Sequence, residues 1–155
     1  MAVRMTEPGT PHLDYVDVPV PHLRVLDDGA GWLLWLPYAL NPLPMNRSGS
    51  KAGWRAEAKK IGHVRDTAQL LTQRAIPHQA RIRVRLDWEV TTRRTRDEDN
   101  LVKCMKHLVD GLKLAGVVTD DSGLYVERLM PVINYAPASR DRQAHMRLWI
   151  WPLPA

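Results

Sequence analysis

The chain has 155 residues, with 22 Lys and Arg against 17 Asp and Glu, a formal net charge of +5, and 45% hydrophobic residues. That length suits one domain around one core, and the mild basic excess favours a polyanionic partner without requiring one. A single cysteine excludes an intrachain disulfide and fits a reducing compartment. The N-terminus lacks an apolar stretch of signal-peptide length, and no run reaches the roughly 18 apolar residues of a membrane span, so a soluble cytoplasmic protein is expected.

Residues 1–21, with "TEPGTPH" and "VPVPH", read as a Pro-rich arm, and residues 22–155 as one domain. His22 to Leu26 and Gly31 to Leu36 are strand-like, and "DDGAG" between them is turn chemistry, so a hairpin is predicted. The loop "ALNPLPMNRSGS" follows. Helix one is expected from Lys51 to Ala75, with Trp54, Ile61, Val64, Ala68 and Leu71 recurring at helical spacing. Lys51, Arg55, Lys59 and His63 lie four apart on another face. That stripe is either a solvated helix face or a phosphate-binding one.

Residues 80–90 alternate, with Ile82, Val84, Leu86, Trp88 and Val90 on one side and Arg81, Arg83 and Arg85 on the other, the pattern of a half-buried strand. Helix two is expected to start at Asp99 or Asn100, both good N-caps. Leu101, Cys104, Met105, Leu108 and Leu112 form its core stripe, which makes Cys104 a buried thiol, and Gly116 is placed at C′. A third strand is predicted over 124–133 and a fourth over 143–151. The fourth carries large apolar groups on both faces, as if covered on both sides.

Between strand two and helix two stands "TTRRTRDEDN". Asp97 and Asp99 lie two apart, so in an extended chain both carboxylates point the same way. Asp120 and Asp121 follow one helix later. A helix of about 16 residues is about 24 Å long, so the two pairs meet only if the chain after it folds back. Carboxylates gathered without His or Cys form a hard oxygen site suited to Mg²⁺ or Mn²⁺, and Arg93, Arg94 and Arg96 beside them are placed to grip phosphates. On helix two, Lys103, Lys106 and Asp110 return toward the azimuth of Asp99. A lysine there either stabilises developing charge near a scissile phosphate or forms a surface pair with Asp110.

The segment "RDEDNLVKCMKHLVDGLKLAGVVTDD", Arg96 to Asp121, resembles the signature of the RusA family of Holliday junction resolvases: an Arg-rich lead-in, Asp-x-Asp-Asn, a helix with Lys-x-x-x-Asp-x-Leu, then an Asp pair. "LPYALNPLPMNR" and the basic helix after it are similar to the family's N-terminal segment. The resemblance implies a single α+β domain with a mixed sheet and two main helices, a symmetric homodimer, and Mg²⁺-dependent nicking of four-way or branched DNA in a bacterial or phage-infected cytoplasm. Carried over, Asp97, Asp99 and Asp121 are the catalytic metal ligands, with Asp120 adjacent. Asn100 matches the motif Asn. Asn46, Arg47, Lys51, Arg55, Lys59, Arg93, Arg94, Arg96 and Asn100 are the expected DNA contacts. The catalytic lysine is Lys103 when counted from Asp99 and Lys106 when counted back from Asp110. A DNA-binding module without catalysis, or a metal-dependent phosphohydrolase on another nucleotide substrate, is the alternative.

Overall fold

The computed structural model of the chain describes residues 3–7, 10–13, 20–45 and 50–155. The elements run β1 (Val3–Glu7), β2 (Thr10–Leu13), β3 (His22–Val25), β4 (Trp32–Leu36), α1 (Lys51–Thr72), β5 (Arg81–Val90), α2 (Val102–Leu114), β6 (Val126–Arg128), β7 (Val132–Tyr135) and β8 (His145–Leu153). Short 3-10 turns occupy Asp27–Gly29 and Glu98–Leu101. The result is one α+β domain with a mixed sheet and two helices. No helix among the described residues is long and apolar enough to cross a membrane.

Within the segment expected to be an arm, β1 and β2 pair antiparallel as a separate two-stranded sheet. The expected hairpin is present: β3 and β4 pair antiparallel, with Leu26 N–H donating to the Gly31 carbonyl across the turn. The main sheet runs β3-β4-β8-β5, and β5 then pairs in parallel with β6 along its first half and β7 along its second. The stretch predicted as one strand over 124–133 holds β6 and only the first two residues of β7, which runs on to Tyr135. Leu129 N–H still donates to the Val84 carbonyl, and the ladder is interrupted after it, where Pro131 has no N–H to donate.

Strand β8 is antiparallel to both β4 and β5, so β4, β5, β6 and β7 all point the same way. The connections β4–α1–β5 and β5–α2–β6 are therefore crossovers, and both helices return along one face of the sheet. On that face Leu34, Leu36, Ile82, Val84, Leu86, Met146, Leu148 and Ile150 pack with Val64, Ala68, Leu101, Cys104, Leu108 and Leu112 from the helical segments. Cys104 is fully buried, and burial pushes its thiol up to about 12, as expected of a structural thiol. Trp54, the first of the residues recurring at helical spacing along α1, is 56% exposed. The buried side of α1 begins a few turns later, at Val64.

Helix two begins otherwise than predicted. Asp97 is the extended residue before a 3-10 turn that contains Asp99 and Asn100, and α2 proper follows from Val102 without a side-chain cap. Its end matches expectation. Gly116, at φ +79°, donates to the Lys113 carbonyl, and Val117 donates to Leu112, the two bonds of a Schellman motif.

The second face of the sheet is not covered by either helix, contrary to the double covering predicted for β8. Its side chains cover one another instead. Asp87 and Glu89, on the arginine side of β5, are 2% and 4% exposed. Asp87 accepts from Arg85 Nε at 2.7 Å, Arg85 Nη2 at 2.9 Å and Trp149 Nε1 at 3.0 Å. Glu89 accepts from Asn134 at 3.0 Å, Arg142 at 3.2 Å and Arg147. Trp149 and Trp151 stack at 5.8 Å, with Arg147 and Arg85 over them.

Burial would raise the Glu89 carboxyl, but the Asn134 amide and the Arg147 guanidinium outweigh it and hold the group below its ordinary 4.5. A lowered folded-state value means the stabilisation is complete above the ordinary carboxylate range and is lost as pH falls through the lowered value. Urea unfolding as a function of pH should show that loss on acidification. Glu89→Gln should lose about 1.5–3 kcal/mol near neutrality and show a shallower acid limb.

Gly111 marks where α2 crosses α1: a Cβ there would meet the Arg65 carbonyl oxygen and, at 2.7 Å, the Ala68 side chain. Gly111→Ala gains about 1 kcal/mol of helix propensity but forces two packed backbones apart, at a cost of about 1–3 kcal/mol or more. Net destabilisation is expected in denaturant unfolding, and a stabilised variant would contradict this packing.

Candidate nucleic-acid interface

Crevices for ligands in parallel αβ sheets form at the carboxyl ends of the strands, where the loops to the helices diverge. Here that end collects the chain leaving β5 at Val90, the end of β7 at Tyr135, and the loop after β4. Ala136 N–H donates to the Val90 carbonyl at 3.1 Å, Trp88 Nε1 to the Ala39 carbonyl at 3.2 Å, and Asn41 Nδ2 to the Asn100 carbonyl at 2.9 Å. These bonds tie loop 37–45 to the turn that carries Asp99.

An open cleft of about 510 Å³ lies at this end, bounded by Thr92, Arg93, Arg94, Arg96, Glu98 and Tyr135. Val90 and Ile133 also line it. Three guanidinium groups face one carboxylate, so the cleft is net basic. Arg96 is pinned: it donates to the Thr92 carbonyl and hydroxyl at 2.8 Å each and lies 5.1 Å from the Trp88 ring centre. Arg93 lies over the Tyr135 ring at 4.5 Å. Arg94 is exposed, with no ion pair among the described residues.

Asp97 and Asp99 follow immediately, exposed and without an ion pair among the described residues. The N-terminal half of α1 lies at the same end, because Glu57 of α1 pairs with Lys103 of α2. Lys51, Arg55, Lys59 and His63 are all exposed there and have no carboxylate partner among the described residues. Asn46 and Arg47 lie outside the described residues.

Asp120 and Asp121 stand elsewhere. They follow α2, whose 13 residues rise about 20 Å, and precede β6, which pairs with the start of β5 at Ile82. They therefore sit at the amino end of β5, and Asp97 and Asp99 beyond its carboxyl end. Lys113 reaches Asp120 at 2.8 Å and Asp121 at 3.4 Å, and Arg128 donates to the Asp121 carbonyl at 2.6 Å. The Lys113 ammonium holds the Asp120 carboxyl at about 2. Among the described residues no three His, Cys, Asp or Glu side chains are gathered so as to hold a metal ion.

The two lysines separate clearly. Lys103 and Glu57 are 19% and 18% exposed and join the helices. Lys106 is 57% exposed and pairs with Asp110 at 3.2 Å, with His107 sharing the same carboxylate at 3.2 Å. Sequence reasoning missed Tyr135 and Glu98 as walls of the cleft, and Lys113 and Arg128 as the partners of the second Asp pair. Neither parallel pairing across 45 positions nor a bond across a helix end leaves a spacing signal.

Lys103→Ala should lower stability by about 1–3 kcal/mol, since it strands a mostly buried glutamate between the helices. Lys106→Ala should cost under about 0.5 kcal/mol, as for an exposed i, i+4 pair. Chemical denaturation of the two variants checks this, and equal losses would contradict the difference in burial.

No family model matches the chain, and no curated protein sequence matches it. A solved structure described as a HypE–HypF complex is similar at 13% identity with a TM-score of 0.31. That match covers 83% of this chain and 35% of the other, so this chain spans about a third of its length.

Proposed function

We propose that the chain is a Mg²⁺-dependent endodeoxyribonuclease of branched DNA, of the kind its Arg96–Asp121 segment resembles, acting in the cytoplasm as a symmetric dimer. The observation that carries this reading is the arginine cleft running directly into Asp97 and Asp99, which are exposed and without an ion pair among the described residues. Lys51, Arg55 and Lys59 on α1 and the arginines of the cleft, which have no ion pair among the described residues, gain by meeting phosphates, whereas Lys113 and Arg128 are already engaged. Such a set favours a polyanion over a neutral ligand.

The carboxylates fit a hard cation by donor chemistry, since all the donors are oxygens. By placement, Asp97 and Asp99 do not share one coordination sphere with Asp120 and Asp121 within a chain. A site that uses both pairs is therefore built between two copies, Asp97 and Asp99 from one facing Asp121 of the other. A two-fold pair of such sites suits two opposed strands of a four-way junction. When bound, Mg²⁺ or Mn²⁺ supplies positive charge that polarises the phosphodiester and activates water. Arg93, Arg94 and Arg96 hold the flanking phosphates, and Lys51, Arg55 and Lys59 extend the track. Lys106 is the freer lysine for the reacting phosphate, because its surface pair is cheap to break and Lys103 is committed to Glu57.

A second reading, a DNA-binding module without catalysis, draws on the lack of a three-carboxylate group among the described residues of a single chain. A synthetic four-way junction beside linear duplex, in Mg²⁺ and in EDTA, separates the two. Asp99→Asn and Asp121→Asn should each lose cleavage by about a hundredfold or more. Mixing the two variants should restore single-strand nicking, because a mixed dimer has one site with both carboxylates intact. Full activity in either variant alone would remove the carboxylates from the reaction. An inactive mixture would place the site within one chain.

A further inference from the structure

We propose that the cleft between Arg93 and Tyr135 takes an unpaired nucleobase of the bound strand, which stacks on Tyr135 while Arg93 moves to the adjoining phosphate. This rests on the nucleic-acid reading above and adds a substrate feature to it: a strand with an extruded or unstacked nucleotide at the cleavage point.

The cleft volume of about 510 Å³ falls within the about 300–1,000 Å³ of ligand pockets. Its chemistry divides as a nucleotide does. Tyr135 is 41% exposed, and with Val90 and Ile133 it offers an apolar and aromatic surface. Thr92, Arg93, Arg94 and Arg96 offer hydroxyl and cationic groups. Tyr135 is held beside Val90 at the end of the β5–β7 ladder, so its ring stands on the rigid sheet rather than on a loop. The chain that carries the arginines continues directly to Asp97, so a nucleotide in the cleft lies beside the proposed reacting phosphate.

The present occupant of the ring face is the Arg93 guanidinium at 4.5 Å. A cation over an exposed ring is worth about a two- to fivefold factor in an equilibrium. A nucleobase stacked on an aromatic side chain is worth about five- to a hundredfold. The exchange is therefore favourable, more so because the freed guanidinium gains a phosphate. Arg96 does not exchange, being fixed by Thr92 and Trp88, and acts as the stationary phosphate contact. Glu98, the one carboxylate among the lining residues, repels a phosphate placed beside it, so the phosphate is expected on the arginine side.

The test uses the full chain in EDTA, so that no cleavage intervenes, with short single-stranded DNA carrying one 2-aminopurine and a matched strand abasic at that position. Binding should quench the 2-aminopurine. Tyr135→Ala should lower affinity for the intact strand by about tenfold and abolish the quench, while Tyr135→Phe should keep both. The parent chain should bind the abasic strand about as weakly as Tyr135→Ala binds the intact one. Arg93→Ala should keep the quench and lose only affinity. Tyr135 is exposed, and a thermal melt confirms that each variant folds. Equal affinity of the parent chain for intact and abasic strands, with normal salt dependence, would overturn the pocket while leaving DNA binding standing. Salt-insensitive binding, or none, would overturn both. Competition by a free nucleoside monophosphate as strong as by the strand would assign the cleft to a small nucleotide and overturn the proposal as stated.

Discussion

Strand β5 has to be buried on both faces, and only one face has helices to bury it. The other face satisfies the constraint with charge. Asp87 and Glu89 lie beneath a lattice of Arg85, Arg142, Arg147, Asn134 and Trp149, and almost none of either carboxylate reaches solvent. Removing one member of such a lattice strands the others in a medium of low polarity, which costs more than the intact pairs contribute. The pairs also fix register. Glu89 sits opposite His145 on β8 and Asn134 on β7, and a slip of one residue would carry both acids into the apolar core.

With β5 held, the rest of the topology follows. Both helices must lie on the apolar face, both connections are parallel crossovers, and the parallel strands all end at one edge. That edge receives the loop after β4, the arginine segment after β5 and Tyr135 at the end of β7. The close crossing at Gly111 sets how near the helices approach, and the Lys103–Glu57 pair brings the basic start of α1 beside the start of α2. The cations of α1 and of the arginine segment that lack an ion pair among the described residues thus share one end of the molecule. At the other end Lys113 and Arg128 are engaged with Asp120 and Asp121.

The separation of the two aspartate pairs is equally a consequence of the crossover. A helix that returns along a strand exchanges one end of the sheet for the other, so residues just before it and just after it cannot meet. Any chemistry that needs both pairs therefore depends on a second copy, which links the proposed activity to assembly. The cleft beside Asp97 belongs to one chain alone and can be occupied independently of that assembly.

The hairpin of β3 and β4, the alternation of β5, the core stripe of α2 with its buried Cys104, and the Gly116 terminus were all legible in the sequence, because each rests on contacts within a few residues or on a simple period. Their order was consistent with the α+β class that the resemblance implied. The arginine segment and the aspartates were legible as residues, since their types and spacing are local. What tertiary structure alone decided is where they stand. The break of the third strand, the burial of Asp87 and Glu89, the exposure of Trp54 and the pairing of Tyr135 with Val90 depend on partners tens of positions away. Parallel pairing carries no turn signal to announce it. The distance between Asp97 and Asp121 was decided by the direction of β6, which no property of those residues encodes.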